Sequence, residues 1–270
     1  MKSIVITGSS SGIGKASAKY FAAQGWKVAA TMRKPEKETE LTQIANVSLY
    51  QLDVTDQASI DSAAAQILND FERVDVVLNN AGYGLAGPFE AATRERIKRQ
   101  FDTNVFGLME VTRAFLPHFR ANKAGMFLNV SSIGGRITFP LISMYHSTKW
   151  AVEGYSESLS YELGELGIVV KIIEPGGVAT DFGGRSMDFA MPTEFPDYQP
   201  TVAKFMAAWG NSGLAASSAD DIAQGIYEAA TDGKAQLRYL LGDDAKQTYG
   251  MREQVGDDAF IAGMRQRMLS

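Results

Sequence analysis

Short apolar runs recur along the chain, separated by longer stretches in which apolar positions return every third or fourth residue. The short runs are Ile4–Ile6, Lys27–Ala30, Ser48–Tyr50, Val74–Leu78, Met126–Val130, Ile168–Ile173 and Leu237–Leu240. They are nearly continuous in apolar character, as expected of strands covered on both faces. Stretches 15–24, 58–70 and 150–163 have helical period. Strand and helix in alternation predict an α/β fold, a doubly wound parallel sheet of Rossmann type with helices on both faces. With no repeat or linker in view, residues 1–270 read as one domain. Gly25, Gly125 and Gly167 stand where helices must stop before the next strand. Regularity breaks from Asp181 to about Gly213, where Gly183, Gly184, Pro192, Pro196 and Pro200 fall. That connection is longer than usual and predicts a lid over about 181–213.

Composition narrows the chemistry. The chain has 270 residues, 45% hydrophobic and 21% charged, with a formal net charge of -5. That balance leaves no electrostatic footprint for nucleic acid. Cysteine is absent, which excludes disulfides, thiolate metal sites and cysteine nucleophiles. Only His118 and His146 could supply imidazole, so no histidine metal cluster is expected, and both read as structural or solvated. No apolar stretch has the length of a membrane span or a signal segment, and the expectation is a cytoplasmic protein.

Thr7-Gly8-Ser9-Ser10-Ser11-Gly12-Ile13-Gly14 joins the first strand to the first helix. Glycine there permits a sharp turn, close approach of a pyrophosphate, and helix–strand packing. The helix start, near Gly14, adds N–H groups and the positive dipole end for phosphate. Far along the chain, Tyr145 and Lys149 stand at i and i+4, which puts a phenol and an ammonium on one helix face. A free phenol has a pKa near 10. The neighbouring ammonium is expected to lower it, and the positive ring of a bound oxidised dinucleotide would push the same way, a fall of about 2–3 units.

The glycine spacing, Gly-x-x-x-Gly-x-Gly, resembles that of the short-chain dehydrogenase/reductase family, in its single-domain branch. The resemblance recurs in order: Asn79-Asn80-Ala81-Gly82 after the fourth strand, Asn104 in the following helix, Ser132 closing the fifth strand, then Tyr145, Lys149, Pro175-Gly176 and Thr180. It implies a nicotinamide cofactor held by Gly8, Ser10, Ser11, Gly12, Ile13, Gly14, Arg33, Asp53, Val54, Asn80, Ala81, Gly82, Tyr145, Lys149, Pro175, Gly176, Val178 and Thr180. It implies a catalytic set of Asn104, Ser132, Tyr145 and Lys149. Tyr145 would be the acid/base, Ser132 would bind the substrate oxygen, Lys149 would hold the ribose, and Asn104 would position a proton-relay water.

The second strand ends at Met32 rather than at a carboxylate, and Arg33 and Lys34 follow. An acidic residue at that end would bind a 2'-hydroxyl, whereas a guanidinium matches a 2'-phosphate. NADP(H) is therefore favoured over NAD(H). Asp53 resembles the family's adenine contact and reads equally well as a turn carboxylate ahead of a helix capped by Thr55.

The substrate expected is a small-molecule ketone, aldehyde or alcohol of apolar character. Residues 84–86, 133–135 and 139–142 flank the expected mouth, and the lid adds Phe182, Met187, Phe189, Met191, Phe195, Tyr198, Phe205, Met206 and Trp209. Core or interface packing explains those side chains equally well. A homo-oligomer, dimer or tetramer, is expected through helices 91–119 and 146–163. The extension 243–270 either adds to an interface or obstructs one. The rival readings are an NADP-sensing protein without turnover, disfavoured because Tyr145 and Lys149 are both present, and a sugar-nucleotide epimerase or dehydratase, for which the chain is short.

Overall fold

The computed structural model describes all residues except 181–185 and 211–215. In chain order its elements are β1 (Ser3–Ile6), α1 (Gly12–Ala23), β2 (Lys27–Met32), β3 (Val47–Gln51), α2 (Gln57–Asp70), β4 (Val76–Asn79), β5 (Gly84–Ala86), α3 (Arg94–Phe101), α4 (Gly107–Asn122), β6 (Gly125–Val130), α5 (Ser143–Gly164), β7 (Ile168–Pro175), β8 (Val178–Ala179), β9 (Met187–Phe189), α6 (Gln199–Gly210), β10 (Ser217–Ser218), α7 (Ala219–Thr231), β11 (Arg238–Leu241), α8 (Asp243–Val255) and α9 (Asp257–Leu269).

Seven strands form one sheet in the order β3-β2-β1-β4-β6-β7-β11, and every neighbouring pair is parallel. These are the seven strands that the apolar runs predict. Their side chains alternate between two cores, as a pleat of period two requires. Ile4 and Ile6 join Phe21 of α1 and Ile226 of α7 on one face. Val5 joins Ile67 of α2, Phe115 of α4 and Leu163 of α5 on the other. Each such side chain contributes about 1.5–3 kcal/mol by leaving water. The strand order reverses at β1 and β4, and the crevice beyond their carboxyl ends is where an open α/β sheet binds its ligand.

Three boundaries differ from the sequence expectation. Helix α2 is capped by Asp56, whose carboxylate accepts the Ala58 and Ser59 N–H groups, and not by Thr55. Thr55 instead donates to Asp53 Oδ1 at 2.8 Å. The helix expected over 91–119 is two helices joined by a π turn at Asp102–Phe106. Buried Asn104 sits in that turn, its Oδ1 accepting the Tyr83 N–H at 3.1 Å and its Nδ2 donating to the Tyr83 carbonyl at 2.9 Å. Strand β6 stops at Val130, so Ser132 lies two residues past it and caps a short 3-10 turn.

Of the expected lid, β9, α6 and the residues between them are described, whereas Phe182, Gly183, Gly184 and Gly213 lie outside the described residues. Strand β9 pairs with β5. Asp188 is held there by Arg96 and Arg99 of α3, with Nε of Arg96 at 3.1 Å. The extension folds back as α8 and α9, and Met268 of α9 packs in one cluster with Phe205 of α6.

Candidate active site

At the carboxyl end of the sheet lies a groove of about 1030 Å³. Its floor at one end is the turn between β1 and α1. Gly8 and Gly12 have φ of +72° and +54°, which other L residues rarely adopt. Ser11 caps α1 with extended backbone and no side-chain bond, and the first turn carries no acidic residue. The N–H groups and dipole of α1 thus face the groove unneutralised, as an anion requires. Helix α1 starts at Gly12, earlier than expected. Gly8, Ser10, Ser11, Gly12 and Ile13 line the groove. Gly14 does not, because its role is packing: a Cβ there would fall 2.5 Å from Asn80 Nδ2.

The opposite wall comes from the ends of β4 and β7. Asn80, Ala81 and Gly82 line it, and Asn80 Nδ2 donates to the Thr7 carbonyl at 2.9 Å. Pro175, Gly176, Val178 and Thr180 line the middle. Met32, Arg33, Asp53 and Val54 line the groove on the side of the β1–α1 turn, where the Ser9 N–H donates to the Thr31 carbonyl at 2.9 Å. Arg33 is exposed, and no carboxylate pairs with it among the described residues. Asp53 holds the turn, its Oδ1 accepting the Thr55 N–H at 3.0 Å, while still lining the groove.

Ser132, Tyr145 and Lys149 converge at the other end. Ser132 Oγ accepts the Gly134 N–H at 2.9 Å, which fixes the hydroxyl at the mouth of the turn. It also hydrogen-bonds the Tyr145 phenol. Lys149 Nζ donates to the Val130 carbonyl at 2.9 Å and lies 5.6 Å from the centre of the Tyr145 ring. Burial pushes the Tyr145 phenol up to about 12, and its bond with Ser132 offsets this only in part. The i,i+4 spacing of Lys149 predicts a downward pull. Among the protein's own groups, burial wins. Burial likewise pulls the Lys149 ammonium down to about 8, against the opposing pull of Glu153.

Asn104 departs from expectation. It is 2% exposed, it does not line the groove, and its Nδ2 also reaches Thr148 Oγ1 at 3.2 Å. Its amide therefore joins Tyr83, just ahead of β5, to the π turn and the helix of Tyr145, and what it offers the site is a braced backbone.

Residues 2–189 match the model of the family described as short chain dehydrogenase. An uncharacterized oxidoreductase of Schizosaccharomyces pombe is 40% identical over 237 residues, 88% of this chain and 99% of the relative. The chain belongs to the short-chain dehydrogenase family. A short-chain dehydrogenase of Streptomyces avermitilis superposes with a TM-score of 0.85 at 34% identity, covering 98% of this chain and 95% of its own. The NADP-bound structure of ElxO superposes with a TM-score of 0.75 at 27% identity, covering 92% and 99%. As a short-chain dehydrogenase the protein is an oxidoreductase of a family that uses NAD(P)(H). Its cradle fits such a cofactor on the geometry given above. Among the described residues no helix is long and apolar enough to cross a membrane.

Several further residues of the dehydrogenase groove carry no motif in the sequence. Asp244, at the start of α8, lines the groove and accepts the Gly177 N–H at 2.6 Å. Met264 and Met268 of α9 line the groove with Phe139, Ile142, Met187 and Trp209. Of the expected lid side chains, Phe205 is instead core at 2% exposed, and Met191 and Met206 face outward. Leu141 has φ of +60°, a strained value beside a site. Its carbonyl accepts the Gly87 N–H at 2.7 Å. His146 is structural: Nε2 accepts the Phe139 N–H at 2.9 Å while Nδ1 contacts the Gly134 carbonyl at 2.8 Å. His118 accepts the Val74 N–H at 3.1 Å. The signal available for Asp244 was an acidic pair directly after the last apolar run, where a helix N-terminus is expected.

Proposed function

We propose that the protein is an NADP(H)-dependent oxidoreductase that interconverts an apolar ketone or aldehyde with its alcohol, with Tyr145 as the acid/base. The observation that carries this reading is the convergence of the Ser132–Tyr145 hydrogen bond and Lys149 on a groove with an unneutralised helix N-terminus at one end and apolar walls at the other. The cofactor supplies or accepts the hydride. Ser132 offers its hydroxyl to the substrate oxygen, where charge develops. A phenol kept protonated by burial suits donation of a proton to a forming alkoxide, so the site fits reduction. Lys149 supplies positive charge behind the phenol and a donor for ribose hydroxyls.

Support for NADP(H) over NAD(H) is Arg33, exposed on the groove beside buried Met32 where a carboxylate would otherwise stand. Support for an apolar substrate is the wall formed by Phe139, Ile142, Met187, Trp209, Met264 and Met268. Residues 1–270 act as one domain in this reading, with the segments around α6 and α9 closing the substrate end. A homo-oligomer, dimer or tetramer, is supported by Trp150 and Tyr161, 47% and 71% exposed on one stripe of α5, with Phe106 at 54% in the adjoining π turn.

The test is NADPH oxidation followed against ketones and aldehydes graded from small to steroid-sized. Tyr145→Phe is expected to bind NADPH normally and lose at least about a hundredfold in turnover. Near-normal turnover in that variant overturns the role of Tyr145. NADPH binding without turnover on any carbonyl would favour a sensor instead.

A further inference from the structure

Beneath Ser132, Tyr145 and Lys149 lies a buried ionic cluster that the proposed chemistry does not use. Glu153, one helical turn past Lys149 on α5, is 5% exposed, and Glu174 of β7 is 1% exposed. Arg238 of β11 donates through Nε to Glu153 Oε2 at 2.9 Å and lies 3.4 Å from Glu174 Oε1. Its Nη2 holds Glu157 Oε2 at 2.5 Å. Arg136 donates to Glu174 Oε1 at 3.1 Å and to the Tyr249 hydroxyl of α8.

The cluster ties together the three segments that carry the site. Arg136 stands four residues after Ser132, Glu153 four after Lys149, and Glu174 one before Pro175. Its charges do not cancel when all are ionised: three carboxylates face two guanidiniums, and Lys149 stands on the same helix face as Glu153 without closing to ion-pair distance.

One oxygen shows where the surplus lies. Glu153 Oε1 is buried with no hydrogen-bond partner among the described residues, and so is Ser131 Oγ. Both face the same small space, 3.0 Å and 2.5 Å from where a Cβ on Gly135 would stand. A structural salt bridge gains nothing from an orphaned oxygen. That space adjoins the end of β6, where Lys149 holds the Val130 carbonyl.

We propose that Glu153 is a positioning residue for the reaction: its carboxylate, clamped by Arg238, is the counter-charge that keeps buried Lys149 an ammonium. The proposal rests on the reading of Lys149 given above. Burial works against that ammonium, and Glu153 is the charged group that opposes it. The other titratable and charged groups around the pair are Tyr145 and Glu157 on α5, Glu174 on β7, Arg136 after β6, Arg238 on β11 and Tyr249 on α8. Burial and the nearness of Glu153 raise Glu174 to about 7, against Arg136 and Arg238, so Glu174 loses its charge on the acid side and not on the alkaline side that Lys149 governs.

The test reads NADPH binding and needs no substrate. The NADPH dissociation constant is measured by fluorescence from pH 6 to 10 for the unmodified protein, Glu153→Gln, Glu153→Asp and Glu157→Gln. Binding is expected to weaken as the pH rises through the titration of Lys149. In Glu153→Gln this step moves to lower pH by about one unit. In Glu153→Asp it moves less, in the same direction, and in Glu157→Gln it stays in place. An unmoved step in Glu153→Gln overturns the proposal, whatever happens to melting temperature; if that variant does not fold, Glu153→Asp decides in the same way. Lys149→Met separates the two levels. Persistence of the step in that variant overturns the reading of Lys149 itself. Its disappearance there, with an unmoved step in Glu153→Gln, overturns Glu153 alone.

Discussion

Asp244 Oδ2 accepts the Gly177 N–H at 2.6 Å, so the start of α8 holds the turn that follows β7. A Cβ on Gly176 would collide with the same carboxylate, so the turn and Asp244 are fitted to each other. Asp244→Ala is expected to loosen this wall of the groove and raise the NADPH dissociation constant about tenfold, since a hydrogen bond to a charged group contributes about 1.5–3 kcal/mol. An unchanged constant in a folded variant would show that the turn keeps its shape without α8.

Arg33 gives a differential prediction. Arg33→Ala should weaken NADPH by about tenfold or more and leave NADH nearly unchanged, because the two ligands differ only in the phosphate that a guanidinium would fork. Calorimetry with both nucleotides decides it, and equal losses would remove Arg33 as the reader of that phosphate.

Gly14 tests the cradle by packing. A Cβ there would meet Asn80 Nδ2 at 2.5 Å and come closer still to the Gly8 carbonyl, and neither neighbour is the loose end of a long side chain. Gly14→Ala should cost about 1–3 kcal/mol by overpacking, seen as a lower denaturation midpoint. Gly154→Ala, whose Cβ would meet nothing within 4 Å, is the control expected to be neutral or stabilising.

His146 makes stability depend on pH. Burial lowers its pKa below the ordinary 6.5, against the pull of the Gly134 carbonyl, so the ring is kept neutral. The unfolded chain takes up a proton near pH 6.5 and the folded one does not. Its contribution is therefore fully present above that pH and is lost as the pH falls below it. Melting temperatures at pH 7.5 and 5.5 should fall further in the unmodified protein than in His146→Gln. Comparing the two variants removes the opposite trend of Glu174, whose raised pKa favours the folded state on acidification. Equal falls would show that His146 titrates as it does in water.

The strands were legible because covering on both faces leaves a local mark, an unbroken apolar run. Gly8, Gly12, Ser132, Tyr145 and Lys149 were legible because their spacing sits within single strand–turn–helix units. Glu153 and Arg238 were not, for they are 85 residues apart and meet only once β11 joins the sheet. The burial of Tyr145 was not legible for a related reason: i,i+4 spacing places Lys149 nearby but says nothing of how much water the fold removes. The engagement of the Asn104 amide was not legible either, because it depends on Tyr83, which helix period does not reveal.

The π turn at Asp102–Phe106 fixes the length of the chain here to the residue. Deleting one residue within it would restore the ordinary ladder and swing α4 by about 100° against α3. Thr112 would leave Asn79 of β4, whose Nδ2 donates to it at 3.1 Å, and Phe106 would leave the outer surface. A substitution of exposed Phe106 should be tolerated where a single-codon deletion in the turn is not.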